Sequence, residues 1–168
     1  MSMQLDKVQP KNKIQLEQLI GYAFKHNIYD LNFIDTSKIT DMSFLFINCE
    51  YDFDVSSWDV SNVTNMEFMF CGCIKFNCDL SNWDVSNVTY MDGIFYSCFK
   101  FKGKGLENWN VENITDADYM FCGCEKLNCE LSNWNIAKTT PIKDMFFNCD
   151  KNIIPNWYKK LYIVKNKI

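Results

Sequence analysis

Hydrophobic landmarks recur along the chain in a fixed phase. An aromatic or aliphatic residue is followed fifteen positions later by a cysteine, and this spacing occurs five times. The pairs are Ile34 and Cys49, Trp58 and Cys73, Trp83 and Cys98, Trp109 and Cys124, and Trp134 and Cys149. A phenylalanine lies at the same place in every block, and its successive copies are 24, 25, 26 and 25 residues apart. Such a period is typical of repeats that bury their apolar faces by stacking on neighbours.

The pattern within a block predicts a short strand followed by a short helical or 3₁₀ turn. Leu80-x-x-Trp83-x-Val85 fits the L-x-x-L-x-L strand frame of leucine-rich repeats, in which alternate side chains share one face. The apolar spacing then becomes helical from Val88 and Met91 onward. The sequence therefore predicts an α/β solenoid, a leucine-rich-repeat-like right-handed coil of about five repeats with short parallel strands.

The two ends depart from the repeat pattern and predict caps. Residues 1–30 are expected to contain an N-terminal capping helix, because Asn12-x-x-Gln15 is a helix-start pattern ahead of an apolar stripe. Residues 31–150 form the five predicted coils, and residues 151–168 the C-terminal cap. Length varies only between a cysteine and the next tryptophan, so this arc is the predicted outer loop.

Composition and charge narrow the classes of function. Hydrophobic residues make up 48% of the chain, too many for a disordered chain, yet no apolar run approaches the roughly 18 residues of a membrane span. Residues 31–150 contain 8 lysines and 18 acidic residues. All 17 cationic residues are lysine, and the absence of arginine disfavours bidentate contacts with nucleic acid. We therefore expect no nucleic-acid partner and interpret the lysine-rich tail as a solvated cap.

The nine cysteines invite a metal or disulfide hypothesis. The five landmark cysteines share the core phase, where a free thiol behaves as a small hydrophobic group. Two further clusters lie two repeats apart, about 10 Å, which is too far for one zinc ion. A three-thiolate site within one coil stays open as an alternative. The clusters are Cys71, Cys73 and Cys78, and Cys122, Cys124 and Cys129.

The location predicted from these features is the cytoplasm. An odd number of unpaired thiols suits a reducing compartment. The first residues, Met1 to Lys7, show no basic stretch followed by an apolar segment, so we expect no secretory or lipoprotein leader.

The segment from Trp58 to Phe70, Trp-Asp-Val-Ser-Asn-Val-Thr-Asn-Met-Glu-Phe-Met-Phe, resembles the repeats of BspA-like leucine-rich-repeat surface proteins. It is most similar to the mycoplasma-lipoprotein-type branch, with the pattern W-D-x-S-x-V-T-x-M-x-x-M-F. The resemblance implies a non-enzymatic repeat scaffold found in surface adhesion and protein binding, which would place it at the cell surface. It supplies no catalytic residues.

Catalytic patterns are missing from the sequence. His26 is the single histidine, and no phosphate loop, nucleophile elbow or paired-acid motif is present, so we expect no enzyme, no cofactor and no metal. The predicted function is a scaffold for protein–protein interaction through a polar, acidic strand-side face. Its candidate partner-binding residues are Ser57, Asp59, Asn82, Asp84, Asn108, Asn110, Asn133 and Asn135.

Three alternatives remain open. One is a different binding surface on the variable arc, formed by Phe99, Lys100, Phe101, Lys102 and Lys104. Another is a metal- or redox-responsive cysteine-rich repeat protein. The third is a structural component that self-associates weakly through the ends of the solenoid.

Overall fold

Tight turns, rather than long regular elements, make up most of this chain. The computed structural model describes residues 7–165. Helix α1 spans Lys13–Lys25 near the start, and helix α2 spans Asn156–Lys165 near the end. Two short 3₁₀ helices, Leu106–Asn108 and Lys151–Ile153, lie between them.

The predicted α/β solenoid with short parallel strands is wrong. Within the described residues no strand forms, and parallel pairing is confined to isolated bridges. Three of these bridges join equivalent positions of successive repeats, from Asp41 to Asn65, Tyr90 and Asp116. The leucine-rich-repeat-like coil is therefore replaced by a stack of turn-rich repeats.

The predicted strand frame fails because turns interrupt it at every few residues. The Trp58 amide donates to the carbonyl of Val55 at 3.1 Å, which closes one turn. The Asp59 carboxylate then accepts from the Ser61 amide at 3.0 Å and sets the next. Because so few residues separate these turns, no stretch is long enough for a strand ladder.

The predicted short helical or 3₁₀ turn after the frame does not become a helix in the described residues, which form hydrogen-bonded turns here. The Met69 amide bonds within its repeat to Met66, at 3.1 Å, whereas the Phe68 amide bonds to Asp92 of the following repeat, at 2.9 Å. Phe68 lies between Met66 and Met69 and has a positive φ of 49°. This conformation breaks any helix and directs alternate amides toward the following repeat. Positive φ recurs at the equivalent positions of all five repeats, which are Phe44, Phe68, Gly93, Tyr119 and Asp144.

Aromatic columns fill the core between the repeats. The Phe70 ring lies 5.6 Å from that of Phe95, with planes 3° apart, and the Trp83 ring lies 6.3 Å from that of Trp109. All four side chains are buried. Tryptophan thus stacks on tryptophan between these repeats, and Trp109 and Trp134 show the same arrangement at 6.4 Å.

The recurring polar landmarks donate hydrogen bonds to the preceding repeat. Trp83 Nε1 donates to the carbonyl of Val55 at 3.1 Å. Cys98 Sγ donates to the carbonyl of Phe70 at 2.9 Å, and Thr89 Oγ1 to that of Thr64 at 3.1 Å. The repetition of Trp, Cys and Thr in the sequence thus follows from the need for a donor at each of these places.

Both ends carry helices that cover the terminal repeats. Asn12 Oδ1 accepts from the Gln15 amide at 3.0 Å, while Gln15 Oε1 accepts from the Lys11 amide at 2.9 Å, so the predicted helix cap is confirmed. At the other end, Trp157 of α2 donates its indole N–H to the carbonyl of Leu131 at 2.8 Å. The tryptophan column thereby continues into α2.

Candidate functional site

The eight predicted partner-binding residues flank the tryptophan landmarks, and we call this set the Asx face. They are Ser57, Asp59, Asn82, Asp84, Asn108, Asn110, Asn133 and Asn135, and all are exposed.

Several side chains of the Asx face hold their own backbone. Asp84 accepts from the Ser86 amide at 3.0 Å, and Asn110 accepts from the Glu112 amide at 3.2 Å. Hydrogen bonds from Ser86 hold the pKa of Asp84 below its usual value. These contacts set turns of the backbone, which accounts for the recurrence of Asp84 and Asn110 without a partner.

The variable arc is less exposed than the sequence suggests. Phe101 belongs to the core, because its ring is fully buried 4.2 Å from that of Phe95 and 5.6 Å from that of Phe76. Lys104 pairs with Asp79 at 2.6 Å. Lys104 stays exposed despite this pair, as do Phe99, Lys100 and Lys102.

The nine cysteines are all free thiols. Burial raises the pKa of Cys98 and Cys124 well above the usual thiol value, so both are neutral near pH 7. Burial, with Asp54 nearby, also raises the pKa of Cys78 to about 12. Between residues 7 and 165, no three Cys, His, Asp or Glu side chains are grouped to hold a metal ion.

A second surface, which sequence reasoning missed, lies on the run of turns between the threonine and cysteine landmarks. It combines aromatic rings with carboxylates from neighbouring repeats. Phe44, Tyr90 and Tyr96 are exposed there, and its other residues are half-buried. We call it the turn face, and its residues are Phe44, Glu67, Phe68, Tyr90, Asp92, Tyr96, Asp116, Asp118 and Tyr119.

The aromatic rings of the turn face pack against one another along the stack. Phe44 stacks on Phe68 at 5.6 Å, and Tyr96 meets Tyr119 edge-on at 6.4 Å. Phe68 also lies over Gly93, where an added Cβ would be 2.2 Å from the ring. Because glycine has no Cβ, position 93 leaves room for the Phe68 ring. Tyr90 remains 51% exposed, so the row presents apolar surface to solvent.

Carboxylates line the same surface. Burial raises the pKa of Asp92 to about 6, and repulsion from Glu67, Asp116 and Asp118 adds to the effect. Glu67, Asp92 and Asp118 occupy equivalent positions of successive repeats. Two hydrogen bonds show this register: the Phe68 amide donates to the Asp92 carbonyl, and the Gly93 amide donates to the Asp118 carbonyl. Negative charge is thus concentrated in the middle of the turn face.

Lysines of the chain contact this side of the stack near its two ends. Lys13 Nζ of α1 donates to Ser43 Oγ at 2.7 Å and lies 3.4 Å from Asp41 Oδ1. At the far end, Lys143 Nζ lies 5.3 Å from the centre of the Tyr119 ring.

One sequence signal could have revealed the turn face. In three successive repeats, the core residue at the start of the turn run is Met66, Met91 or Ala117. The two residues that follow it are Glu67 and Phe68, Asp92 and Gly93, and Asp118 and Tyr119. An acid thus recurs ahead of an aromatic residue or glycine in three successive repeats. Helical spacing instead distributes these positions around a helix axis, so it does not predict that they share one side.

The described residues define a turn-rich repeat protein with a helix near each end. Neither α1 nor α2, as described between residues 7 and 165, is long and apolar enough to cross a membrane.

The chain belongs to the family described as Mycoplasma protein of unknown function, DUF285, whose model matches residues 14–105 and 100–158. Neither a curated protein nor a solved structure matches the chain.

Proposed function

We propose that the chain is a non-enzymatic repeat scaffold that binds a protein partner through its turn face. The observation that carries this proposal is the row of exposed rings, in which Phe44 is 46% and Tyr90 51% accessible. Aromatic residues are enriched in protein interfaces, where they bury much area with little loss of side-chain freedom. Exposed apolar patches mark interaction sites, and on this surface Phe44 meets Phe68 and Tyr96 meets Tyr119 across neighbouring repeats.

The turn face supports binding better than the Asx face does. On the Asx face, the Asp59 oxygen accepts from both the amide and the hydroxyl of Ser61, at 3.0 and 2.6 Å. Those contacts stabilise the turn of the repeat itself. By contrast, the rings of Tyr90 and Tyr96 protrude from the turn run and remain exposed.

Two further considerations support the scaffold proposal and its setting. The resemblance to BspA-like repeats associates this kind of chain with adhesion and protein binding. Nine free thiols suit a reducing compartment, so we keep the cytoplasm as the proposed location.

The test is capture of cross-linked partners from native cells by the intact chain and by matched variants. The double variant Tyr90→Ser/Tyr96→Ser removes two rings from the turn face. The control is Asp59→Ala/Asp84→Ala/Asn110→Ala, which alters the Asx face. We expect the partner to be lost with the first variant and kept with the second. Loss with the control alone would contradict the choice of face, and retention with both would contradict the proposal.

Self-association is the second candidate function, because α2 presents apolar side chains to solvent. Ile163 is 52% and Val164 69% exposed. If these residues join two copies, light scattering will show a dimer that Ile163→Ser/Val164→Ser abolishes. A wild-type monomer at every concentration up to the millimolar range would remove this candidate.

A further inference from the structure

Near the two ends of the stack, the side that carries the turn face already binds the ammonium groups of the chain's own lysines. At one end, the Lys13 ammonium is held by the hydroxyl of Ser43 and the carboxylate of Asp41. At the other end, the Lys143 ammonium lies over the face of the Tyr119 ring. Carboxylates and aromatic faces are the two kinds of group that attract a lysine side chain.

The middle of the turn face carries the same groups, with its carboxylates in half-buried positions, and of these carboxylates Asp118 also accepts from the Lys143 amide at 2.6 Å. Glu67, Asp92 and Asp118 occupy successive repeats at the position that Ser43 and Lys143 hold in the first and last. Aromatic rings accompany them at Phe68 and Tyr90. In the described part of the chain, the ion pair and the lysine–ring contact of this surface lie at its ends and involve Lys13 and Lys143.

We infer that the turn face binds a lysine-rich, extended segment of a protein partner, whose ammonium groups lie among the carboxylates of its three middle repeats. This inference rests on the proposed function, because it names the chemistry of the partner. Charge complementarity is its main support, since residues 31–150 carry 18 acidic residues against 8 lysines.

The dimensions of the face fit such a segment. Parallel-bridged neighbours lie about 4.8 Å apart, so the three middle repeats span about 10 Å. Lysines at alternate positions of an extended segment point the same way and lie about 7 Å apart. Two or three ammonium groups therefore reach the Asp92 region at once, while the apolar stems of the lysines lie along the rings.

A lysine-rich segment reduces the electrostatic repulsion among the carboxylates of the turn face. Burial raises the pKa of Asp92 to about 6, and repulsion from Glu67, Asp116 and Asp118 adds to the rise. An ammonium group placed among them offsets this repulsion, which a purely apolar partner does not do.

The experiment measures binding of a synthetic peptide to the intact chain by calorimetry at low ionic strength. The peptide alternates lysine and glycine over about eight residues, enough to span the stack. The test variant is Asp92→Asn/Asp118→Asn, which keeps side-chain shape and removes two charges. The matched control is Asp59→Asn/Asp84→Asn, which removes two charges from the Asx face.

We expect the test variant to weaken binding by about tenfold and the control by no more than about twofold. Circular dichroism and the thermal midpoint of each variant show that the fold is retained. No binding to the wild-type chain, or equal weakening by both variants, would overturn the inference. So would equal affinity for spermine, because the segment would then add nothing to its charge.

Failure of this inference is distinguishable from failure of the proposed function. If the peptide does not bind while Tyr90→Ser/Tyr96→Ser still loses the captured protein, only the lysine-rich partner is wrong. If capture ignores the Tyr90 and Tyr96 substitutions, the turn face itself is wrong as the binding surface.

Discussion

Replacing Trp83 by phenylalanine isolates one hydrogen bond between repeats. The indole N–H of Trp83 donates to the carbonyl of Val55 at 3.1 Å, and the side chain is 4% exposed. Phenylalanine keeps a ring in the column but removes this donor and part of the buried indole surface.

The magnitude follows from what the Val55 carbonyl retains. It still accepts from the Trp58 amide at 3.1 Å, so it is not left without a partner. The loss is therefore the net value of one bond, about 1 kcal/mol, rather than the larger penalty of an unsatisfied buried group. The lost apolar burial adds about 1 kcal/mol. We expect Trp83→Phe to lower the free energy of unfolding by about 2 kcal/mol.

The matched control is the same substitution at Trp109. Its indole N–H lies 3.4 Å from the carbonyl of Leu80, near the outer limit of a hydrogen bond. That carbonyl also keeps a second donor, the Trp83 amide at 3.1 Å. Trp109→Phe should therefore be less destabilising, by about 0.5 kcal/mol.

Urea unfolding provides the assay for both variants. Circular dichroism and the fluorescence of the remaining tryptophans should give coincident transitions, and an unchanged slope would show that the change is one of stability. A loss at Trp83 below about 0.5 kcal/mol, or a larger loss at Trp109 than at Trp83, would refute the role assigned to the indole donors.

The remaining predictions concern backbone, charge and thiols. Gly105→Ala should destabilise by at least about 2 kcal/mol, because φ is +97° and a Cβ would lie 2.2 Å from the Ser81 amide nitrogen; its control, Gly21→Ala, meets nothing within 4 Å and should stabilise α1 by about 0.5 to 1 kcal/mol in urea unfolding. A tolerated Gly105→Ala would contradict the close approach. The pKa of Asp92, about 6 in the fold against about 4 when unfolded, means that the folded state binds its proton more tightly. The free energy of unfolding should therefore fall as pH rises from about 4 to 6, and Asp92→Asn should remove that part of the fall; an unchanged profile would count against the crowding. Alkylation at neutral pH, followed by mass spectrometry, should modify Cys71 well before the buried column thiols, and equal rates would contradict their burial. Those column thiols are Cys73, Cys98 and Cys124.

The repeat period and the buried landmarks could be predicted from the sequence because burial leaves a periodic trace. Trp83 and Cys98 recur in phase, and both are core residues. The helix cap at Asn12 was also predictable, since a capping pattern is local in the chain.

The backbone path between the landmarks could not be predicted in the same way. Apolar spacing from Met66 to Phe70 fits a helix, yet the left-handed conformation of Phe68 turns the chain instead. Phenylalanine carries no local signal for positive φ, which here accompanies the amide bond from Phe68 to the next repeat. Helical spacing does not predict the turn face for the same reason, because in a helix these side chains would point in different directions.

Chemical shift mapping of the intact chain with the lysine–glycine peptide would locate the binding surface residue by residue. We predict that the largest amide shifts fall on residues 65–68, 90–93 and 116–119. Shifts concentrated around Asp59 and Asp84, or spread evenly over the chain, would contradict the assignment of the turn face as the binding surface.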